Sequence, residues 1–184
     1  MGFARKGGYI KMKYNVGQYV MYRNSMVCRV EAIGKLQFLQ NSDGTYYTLK
    51  PSFTATDEKN YIPTTSEGCL RAVITPDEAN TYLDRLAKMD AKPYASNKKQ
   101  QLASHYQELF SSDDLNERLL LLKEVSMKDK AEREKGKKLA ATDEQYKKKI
   151  EQILSEEFAV ALSETPELSK ERLLHCAMAS QCIL

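Results

Sequence analysis

The sequence has 184 residues, of which 42% are hydrophobic and 29% charged, and its formal net charge is +3. This composition is typical of a globular chain with room for one ordinary domain or two small ones, and it excludes a fibrous or disordered protein. The longest unbroken apolar run, residues 158–162, is much shorter than the roughly 20 residues of a membrane-spanning helix. The basic residues near the start precede no apolar segment, and the cysteines lack paired spacing. We therefore expect a cytoplasmic protein with free thiols and no secretory signal.

Residues 14 to about 74 have the pattern of short β-strands. Tyrosines and β-branched residues recur there, with turn-forming residues at short intervals. Residues 26–33 alternate between an apolar face and a polar-leaning face that carries Arg29 and Glu31. Residues 36–39 and 46–49 are predicted to form a hairpin around a turn at 42–44. Four or five strands without crossover helices favour a small antiparallel barrel or curled sheet.

From Thr75 onward the hydrophobic period changes from two residues to 3.6, which predicts five amphipathic helices. Their predicted N-terminal caps include a capping box at 75–78, several cap residues at 111–114, a second box at 142–145, and Thr165 before Pro166. The fifth helix is predicted to turn Leu168, Leu173 and Leu174 inward.

The predicted elements divide the chain into two modules near residue 74. We expect an α+β protein with a small antiparallel β module at 13–74 and a five-helix bundle at 75–184. Residues 1–12 are interpreted as a leader that is either flexible or foreign to the natural chain.

Basic residues cluster in the second half of the chain, at 128–138 and at 147–149, whereas acidic residues concentrate at 156–157 and beyond. Such segregation is consistent with one basic face on an otherwise neutral domain, and equally with ordinary solvated helix surfaces. Both interpretations stay open at this point.

No enzyme signature is found. His105 and His175 lie on separate predicted helices without metal-ligand spacing, and no glycine-rich nucleotide-binding loop occurs. The adjacent Asp113 and Asp114 precede an apolar helical run, so N-capping explains them better than paired catalytic carboxylates. We therefore expect an interaction protein that is not an enzyme and needs no metal or cofactor.

Five short motifs follow one another in the β-rich part and precede the helices. They are YNVGQYVMY at 14–22, RVEAI at 29–33, YYTLK at 46–50, YIP at 61–63 and LR at 70–71. In this order and spacing, the chain resembles the CarD family of bacterial transcription regulators, whose N-terminal module is shared with the transcription-repair coupling factor. The resemblance extends over about residues 13–163.

The resemblance implies a Tudor-like domain that adds a strand edge to the β subunit of bacterial RNA polymerase, followed by a helical domain that binds promoter DNA with little sequence specificity. The polymerase-binding residues it implies are Arg29, Glu31, Tyr47, Lys50, Lys59 and Tyr61. The DNA-binding residues it implies are Asn97, Lys98, Lys99, Lys147, Lys148 and Lys149. The alternative is a polymerase-bound adaptor whose helical bundle binds protein instead of DNA.

One family feature is missing from this chain. Family members commonly carry a tryptophan that wedges into the DNA minor groove, but this sequence has no tryptophan, and Lys98 stands in its place. Asn97 matches the family segment, and Tyr94 is the nearest aromatic residue. We therefore expect weaker stabilisation of melted promoters than the family usually gives, and a Lys98→Trp change to increase it.

Overall fold

The computed structural model describes residues 13–38 and 44–179, with the side chain of Glu67 excepted. Its strands are β1 (Tyr19–Tyr22), β2 (Met26–Gly34), β3 (Tyr46–Pro51), β4 (Asn60–Pro63) and β5 (Leu70–Ala72), with a short 3₁₀ turn at Glu67–Cys69. Its helices are α1 (Pro76–Lys88), α2 (Lys99–Ser111), α3 (Leu115–Glu134), α4 (Ala141–Leu162) and α5 (Pro166–Met178). The α+β class is confirmed: a curled antiparallel half-barrel sheet precedes the helices. None of the described helices is long and apolar enough to cross a membrane.

The five strands form one antiparallel sheet in the order β4-β3-β2-β1-β5. The predicted strand at 36–39 is wrong over its described part, because β2 ends at Gly34, Leu36 is irregular, and residues 37 and 38 form a turn. The strand that pairs with β3 is β2 itself, which brings Gly34 opposite Tyr46. Residue 39 and the predicted turn residues 42 and 43 lie outside the described residues.

A β-bulge interrupts the predicted alternation of β2. The register against β3 shifts between Val30 and Ala32, so that Glu31 is the extra residue. Ala32 is consequently exposed, whereas Ile33 packs against the sheet core. Strict alternation along the sequence puts Ala32 on the apolar face of β2. The bulge after Val30 moves Ala32 to the outer face and Ile33 to the core face.

The two faces of the sheet have different surroundings. One face encloses its own apolar core, which includes the fully buried Tyr47 and Leu49. On the opposite face, Met21 of β1 and Val27 of β2 pack against Ile153 of α4. Val27 lies on the predicted polar-leaning face of β2, and it is buried because a helix covers that end of the sheet.

The helices share a separate apolar core, to which every one of the five contributes at least one residue. Leu119 and Leu122 of α3 and Ile150, Leu154 and Phe158 of α4 are all fully buried within it. The fifth helix buries Leu173, and Leu174 packs partly against the core. The prediction for Leu168 is wrong, since this side chain is 43% exposed.

Three of the four predicted helix starts are confirmed. Thr75 and Glu78 form the capping box of α1, Asp114 caps α3, and Thr165 caps α5. The capping box predicted at 142–145 is wrong, because α4 begins at Ala141 without a side-chain cap. Asp143 instead points into the bundle.

Asp143 has a role between helices that its local sequence does not indicate. Its Oδ1 accepts hydrogen bonds from Tyr106 Oη at 2.7 Å and from Lys128 Nζ at 2.8 Å. Burial, reinforced by Asp143, raises the pKa of the Tyr106 hydroxyl far above its ordinary value. Three helices, α2, α3 and α4, are thus joined by one buried polar cluster.

Candidate interaction surfaces

The first candidate surface is the sheet edge formed by β4. Among the described strands, β4 pairs only with β3. Thr64, just after β4, donates its N–H to Thr45 O at 2.9 Å. Because successive N–H groups alternate in direction along a strand, the N–H of Ile62 also faces β3 and that of Tyr61 faces away. Pro63 occupies the other outward position, where its missing N–H costs no ladder bond.

Aromatic side chains lie at this edge. Tyr61 is 39% exposed and Phe38 is 63% exposed, and their ring centroids lie 5.1 Å apart in an edge-to-face arrangement. Exposed aromatic side chains beside an outward row of backbone groups are typical of surfaces that accept another strand.

The outer face of the sheet collects most of the predicted polymerase-binding residues. Cross-strand pairing aligns Tyr19, Arg29 and Lys50, and Tyr61 lies opposite Thr48 on the same side. Arg29 is exposed. This part of the outer face therefore lies open, whereas α4 covers the part formed by Met21 and Val27.

Two ion pairs organise the charges on this face. Lys59 Nζ lies 2.8 Å from Glu31 Oε2, and Lys50 Nζ lies 3.3 Å from Asp57 Oδ1. The hydrogen bond from Lys59 lowers the pKa of the Glu31 carboxyl, and the same bond raises the pKa of Lys59. Lys59 is exposed and Glu31 is partly exposed, so the pair adds little stability and leaves the charges available to a partner.

Tyr47 differs from the other predicted polymerase-binding residues. Its side chain is fully buried, and its ring meets Tyr14 edge-to-face at 5.8 Å between centroids. Tyr47 thus belongs to the sheet core, on the face opposite Lys50 and Tyr61.

The second candidate surface surrounds the N-terminus of α2. Asn97, Lys98 and Lys99 are exposed there, and the two lysines line an open cavity of about 850 Å³. Lys98 is the N-cap residue and makes no side-chain capping bond, so its side chain satisfies none of the backbone N–H groups of the first turn. No described carboxylate lies within ion-pair distance of either lysine.

Sequence reasoning missed the aromatic wall of this cavity. Tyr94 stacks on His105 with 4.1 Å between ring centroids, and His105 Nε2 lies 2.9 Å from Glu124 Oε2. The spacing of Tyr94 and His105 along the chain fits no helical or strand period, since Tyr94 precedes α2 and His105 lies within it. No signal in the sequence pointed to this stack.

The three lysines at 147–149 have three different environments. Lys147 is mostly buried and pairs with Asp129 at 2.6 Å, and Lys148 is 74% exposed and pairs with Glu144 at 3.0 Å. Lys149 is exposed, with its Nζ 5.5 Å from the centre of the Tyr146 ring. Lys149 alone of the three is without a carboxylate partner among the described residues, so it is the one best placed to meet a phosphate.

The described residues include no cluster of histidine, cysteine, aspartate and glutamate that could hold a metal ion. The candidate surfaces described above are a strand edge and patches of basic and aromatic side chains. A scan against models of known protein families finds no match for this chain, and a search of curated proteins also finds none.

Proposed function

We propose that this chain is a non-enzymatic transcription regulator that binds the β subunit of bacterial RNA polymerase through its sheet and promoter DNA through its helices. The sheet would act as a Tudor-like polymerase-interaction module and the helices as a DNA-binding module. The proposal joins the motif resemblance at 13–163 to the geometry of the two candidate surfaces.

The observation that carries the proposal is the β4 edge. Its outward Tyr61 N–H is available for main-chain pairing, and the exposed rings of Phe38 and Tyr61 supply side-chain contact beside it. Backbone pairing supplies affinity in strand addition, while the neighbouring side chains supply specificity. Arg29, Lys50 and the Glu31–Lys59 pair would provide that specificity on the adjoining face.

Lysines without carboxylate partners support DNA binding. Lys98, Lys99 and Lys149 are exposed, and an exposed lysine contacts phosphate as a point charge without reading base edges. We therefore propose weak binding that is nearly independent of sequence.

The second candidate function is the adaptor, whose helices bind protein instead of DNA. It is favoured because many basic side chains of the helices are paired with acidic neighbours. Besides Lys147 and Lys148, Arg133 pairs with Asp129 at 3.0 Å and Lys135 pairs with Glu132 at 2.9 Å. Much of the basic clustering seen in the sequence is thus neutralised by neighbouring acids. A helical surface of this kind suits a protein partner.

A backbone substitution tests the polymerase edge. Tyr61→Pro removes the outward N–H, whereas Tyr61→Ala removes only the side chain and keeps the N–H. If strand addition supplies the affinity, Tyr61→Pro should weaken binding to the purified β subunit well beyond Tyr61→Ala, by roughly tenfold for a lost hydrogen bond of about 1.4 kcal/mol. Equal affinities of the two variants, with circular dichroism unchanged, would reject strand pairing at β4.

Salt dependence separates DNA binding from the adaptor function. The Lys98→Glu, Lys149→Glu double variant should bind duplex and forked promoter DNA more weakly than the unsubstituted chain, and its affinity should fall less steeply with salt. Fluorescence anisotropy at two salt concentrations measures both. A matched Lys148→Glu variant, which alters a lysine already paired with Glu144, should change the affinity less. If the double variant leaves the affinity unchanged, the adaptor becomes the preferred function.

A further inference from the structure

An open cleft of about 620 Å³ lies between the sheet and the helices. Its sheet side is formed by the β1–β2 turn and β5, and its helical side by the end of α2 and the start of α3. Three arginines line it: Arg23 from the turn, Arg71 from β5 and Arg118 from α3. Phe110 and Leu70 contribute apolar wall.

Arg118 is a buried cation without a carboxylate partner among the described residues. The residue is 3% exposed, and its Nε and Nη2 donate only to neutral carbonyls, Ser112 O at 3.1 Å and Asn24 O at 2.6 Å. Its Nη1 is buried and has no hydrogen-bond partner. Buried guanidinium groups are normally paired with an anion, because desolvation of an unpaired charge is costly.

The other two arginines differ in how their charges are neutralised. Arg71 holds Glu157 with two donors, at 2.5 and 2.8 Å, so the charge of Arg71 is balanced within the protein. Arg23 is exposed and has no ion pair with any described carboxylate. Asp113, the acidic residue that lines the cleft, accepts a hydrogen bond from the Asn24 side chain. Three guanidinium groups thus face two carboxylates, which leaves an excess positive charge.

The turn that carries Arg23 is held in place from several sides. Arg23 and Asn24 both adopt left-handed backbone conformations, with φ of 49° and 53°. Arg23 N donates to Cys69 O at 2.8 Å, and Asn24 Oδ1 accepts from Arg71 Nε at 2.6 Å. These bonds fix the turn that carries Arg23, and the bond from Arg118 Nη2 to Asn24 O ties α3 to the same turn. The backbone that carries both arginines is thus in place, and a ligand reaches the buried Nη1 once the side chains over it move.

We propose that this cleft binds a phosphate group, with Arg118 Nη1 and the Arg23 guanidinium as its donors. Planar guanidinium groups match the oxygens of phosphate, and a group with several acceptor oxygens satisfies both donors at once. The source is either a free phosphate or small phosphate ester, or the backbone of a nucleic acid.

The cleft is distinct from the DNA surface proposed above. It lies at the C-terminal end of α2, whereas Lys98 and Lys99 lie at the N-terminal end, roughly 18 Å away at 1.5 Å per residue. Neither Lys149 nor β4 contributes to its walls. The site therefore does not depend on the proposed function, and variants of the cleft test it separately.

The test is calorimetric titration of the full chain with inorganic phosphate at constant ionic strength, with chloride as the reference anion. Arg23→Asn removes the guanidinium and retains a residue that tolerates the left-handed conformation. Arg118→Lys keeps the charge but removes the fork that carries Nη1. Arg85→Gln, an exposed arginine on α1 outside the cleft, is the matched control.

We expect Arg23→Asn and Arg118→Lys each to weaken phosphate binding by at least about tenfold, and Arg85→Gln to leave it unchanged. If Arg118→Lys does not fold, Arg23→Asn decides alone, because its side chain is exposed. A parallel titration with duplex DNA identifies the source. A loss of affinity confined to DNA assigns the site to a nucleic-acid backbone phosphate. Wild-type affinity of Arg23→Asn in both titrations overturns the proposal.

Discussion

Glu156 lies at the junction of sheet and helices, on α4 and only 8% exposed. Burial raises the pKa of its carboxyl, and a hydrogen bond donated by Gln152 opposes part of this effect. The pKa of the nearby Cys28 thiol is raised to about 11, mainly by the burial of Cys28 and in part by the charge of Glu156. Burial therefore shifts both groups towards their neutral forms relative to the same side chains in water.

The raised pKa of Glu156 predicts a pH-dependent effect of Glu156→Gln. The folded state binds the Glu156 proton more tightly than the unfolded state, so its stabilising contribution is full below the ordinary pKa near 4.5 and is lost as pH rises through the raised value. The amide never carries the buried charge. Glu156→Gln should therefore raise the melting temperature at pH 8, and the gain should shrink towards pH 4.5.

Calorimetry at several pH values measures this difference. Glu171→Gln, on the exposed side of α5, is the control and should show no such trend. A Glu156→Gln variant whose melting temperature differs from that of the unsubstituted chain by the same amount at every pH would contradict a charge buried at this position.

At the scale of elements, helix N-caps are the feature that local sequence predicts well. Thr75 and Thr165 sit before a proline and an acidic residue, and their caps depend only on bonds within one turn. The capping box predicted at 142–145 has no proline and does not form, and Asp143 instead makes two bonds to α2 and α3 that no local pattern encodes. The bulge at Glu31 is likewise set by pairing with a distant strand.

This contrast predicts different costs for two threonine substitutions. Thr165→Ala removes the bond from the Leu168 N–H and should reduce the free energy of unfolding by about 1 kcal/mol. Thr142→Ala removes no cap and should change it by less than about 0.5 kcal/mol. Urea denaturation of both variants measures the two changes. Equal losses would mean that Thr142 caps α4 after all.

At the scale of the whole molecule, the sheet is attached to the helices by an ion pair and an apolar contact. Arg71 of β5 donates to both oxygens of Glu157, which is fully buried, and Met21 and Val27 pack on Ile153. The sequence predicted both sets of elements but not this junction, since Arg71 and Glu157 are 86 residues apart. The cleft with Arg118 was missed for the same reason.

Removing one member of the ion pair should be costly. Arg71→Ala leaves the Glu157 carboxylate buried and unpaired, which should lower the free energy of unfolding by about 3 kcal/mol. The double variant Arg71→Met, Glu157→Leu buries no charge and should recover much of that loss. Chemical denaturation of both variants and of the unsubstituted chain measures the three free energies of unfolding. A single variant as stable as the unsubstituted chain would show that the pair does not hold the sheet to α4.

The predicted site residues that are exposed can contact a partner, whereas those that are buried cannot. Arg29, Lys50 and Tyr61 on strands, and Lys59 just before β4, were predictable as fully or partly exposed residues, but the burial of Tyr47 depends on which face of β3 meets the core. The pairing of Lys147 with Asp129 depends on the packing of α3 against α4. Long-range packing therefore decided what the local pattern left open.

Amide hydrogen exchange of the full chain, with and without the purified polymerase β subunit, tests strand addition at β4 most directly. The Tyr61 N–H faces away from β3. Strand addition predicts that this amide exchanges more slowly in the complex, with the change centred on β4, while the amides of α1 exchange as before. A complex that forms at saturating concentration while β4 exchanges at its free rate would contradict the proposed mode of binding.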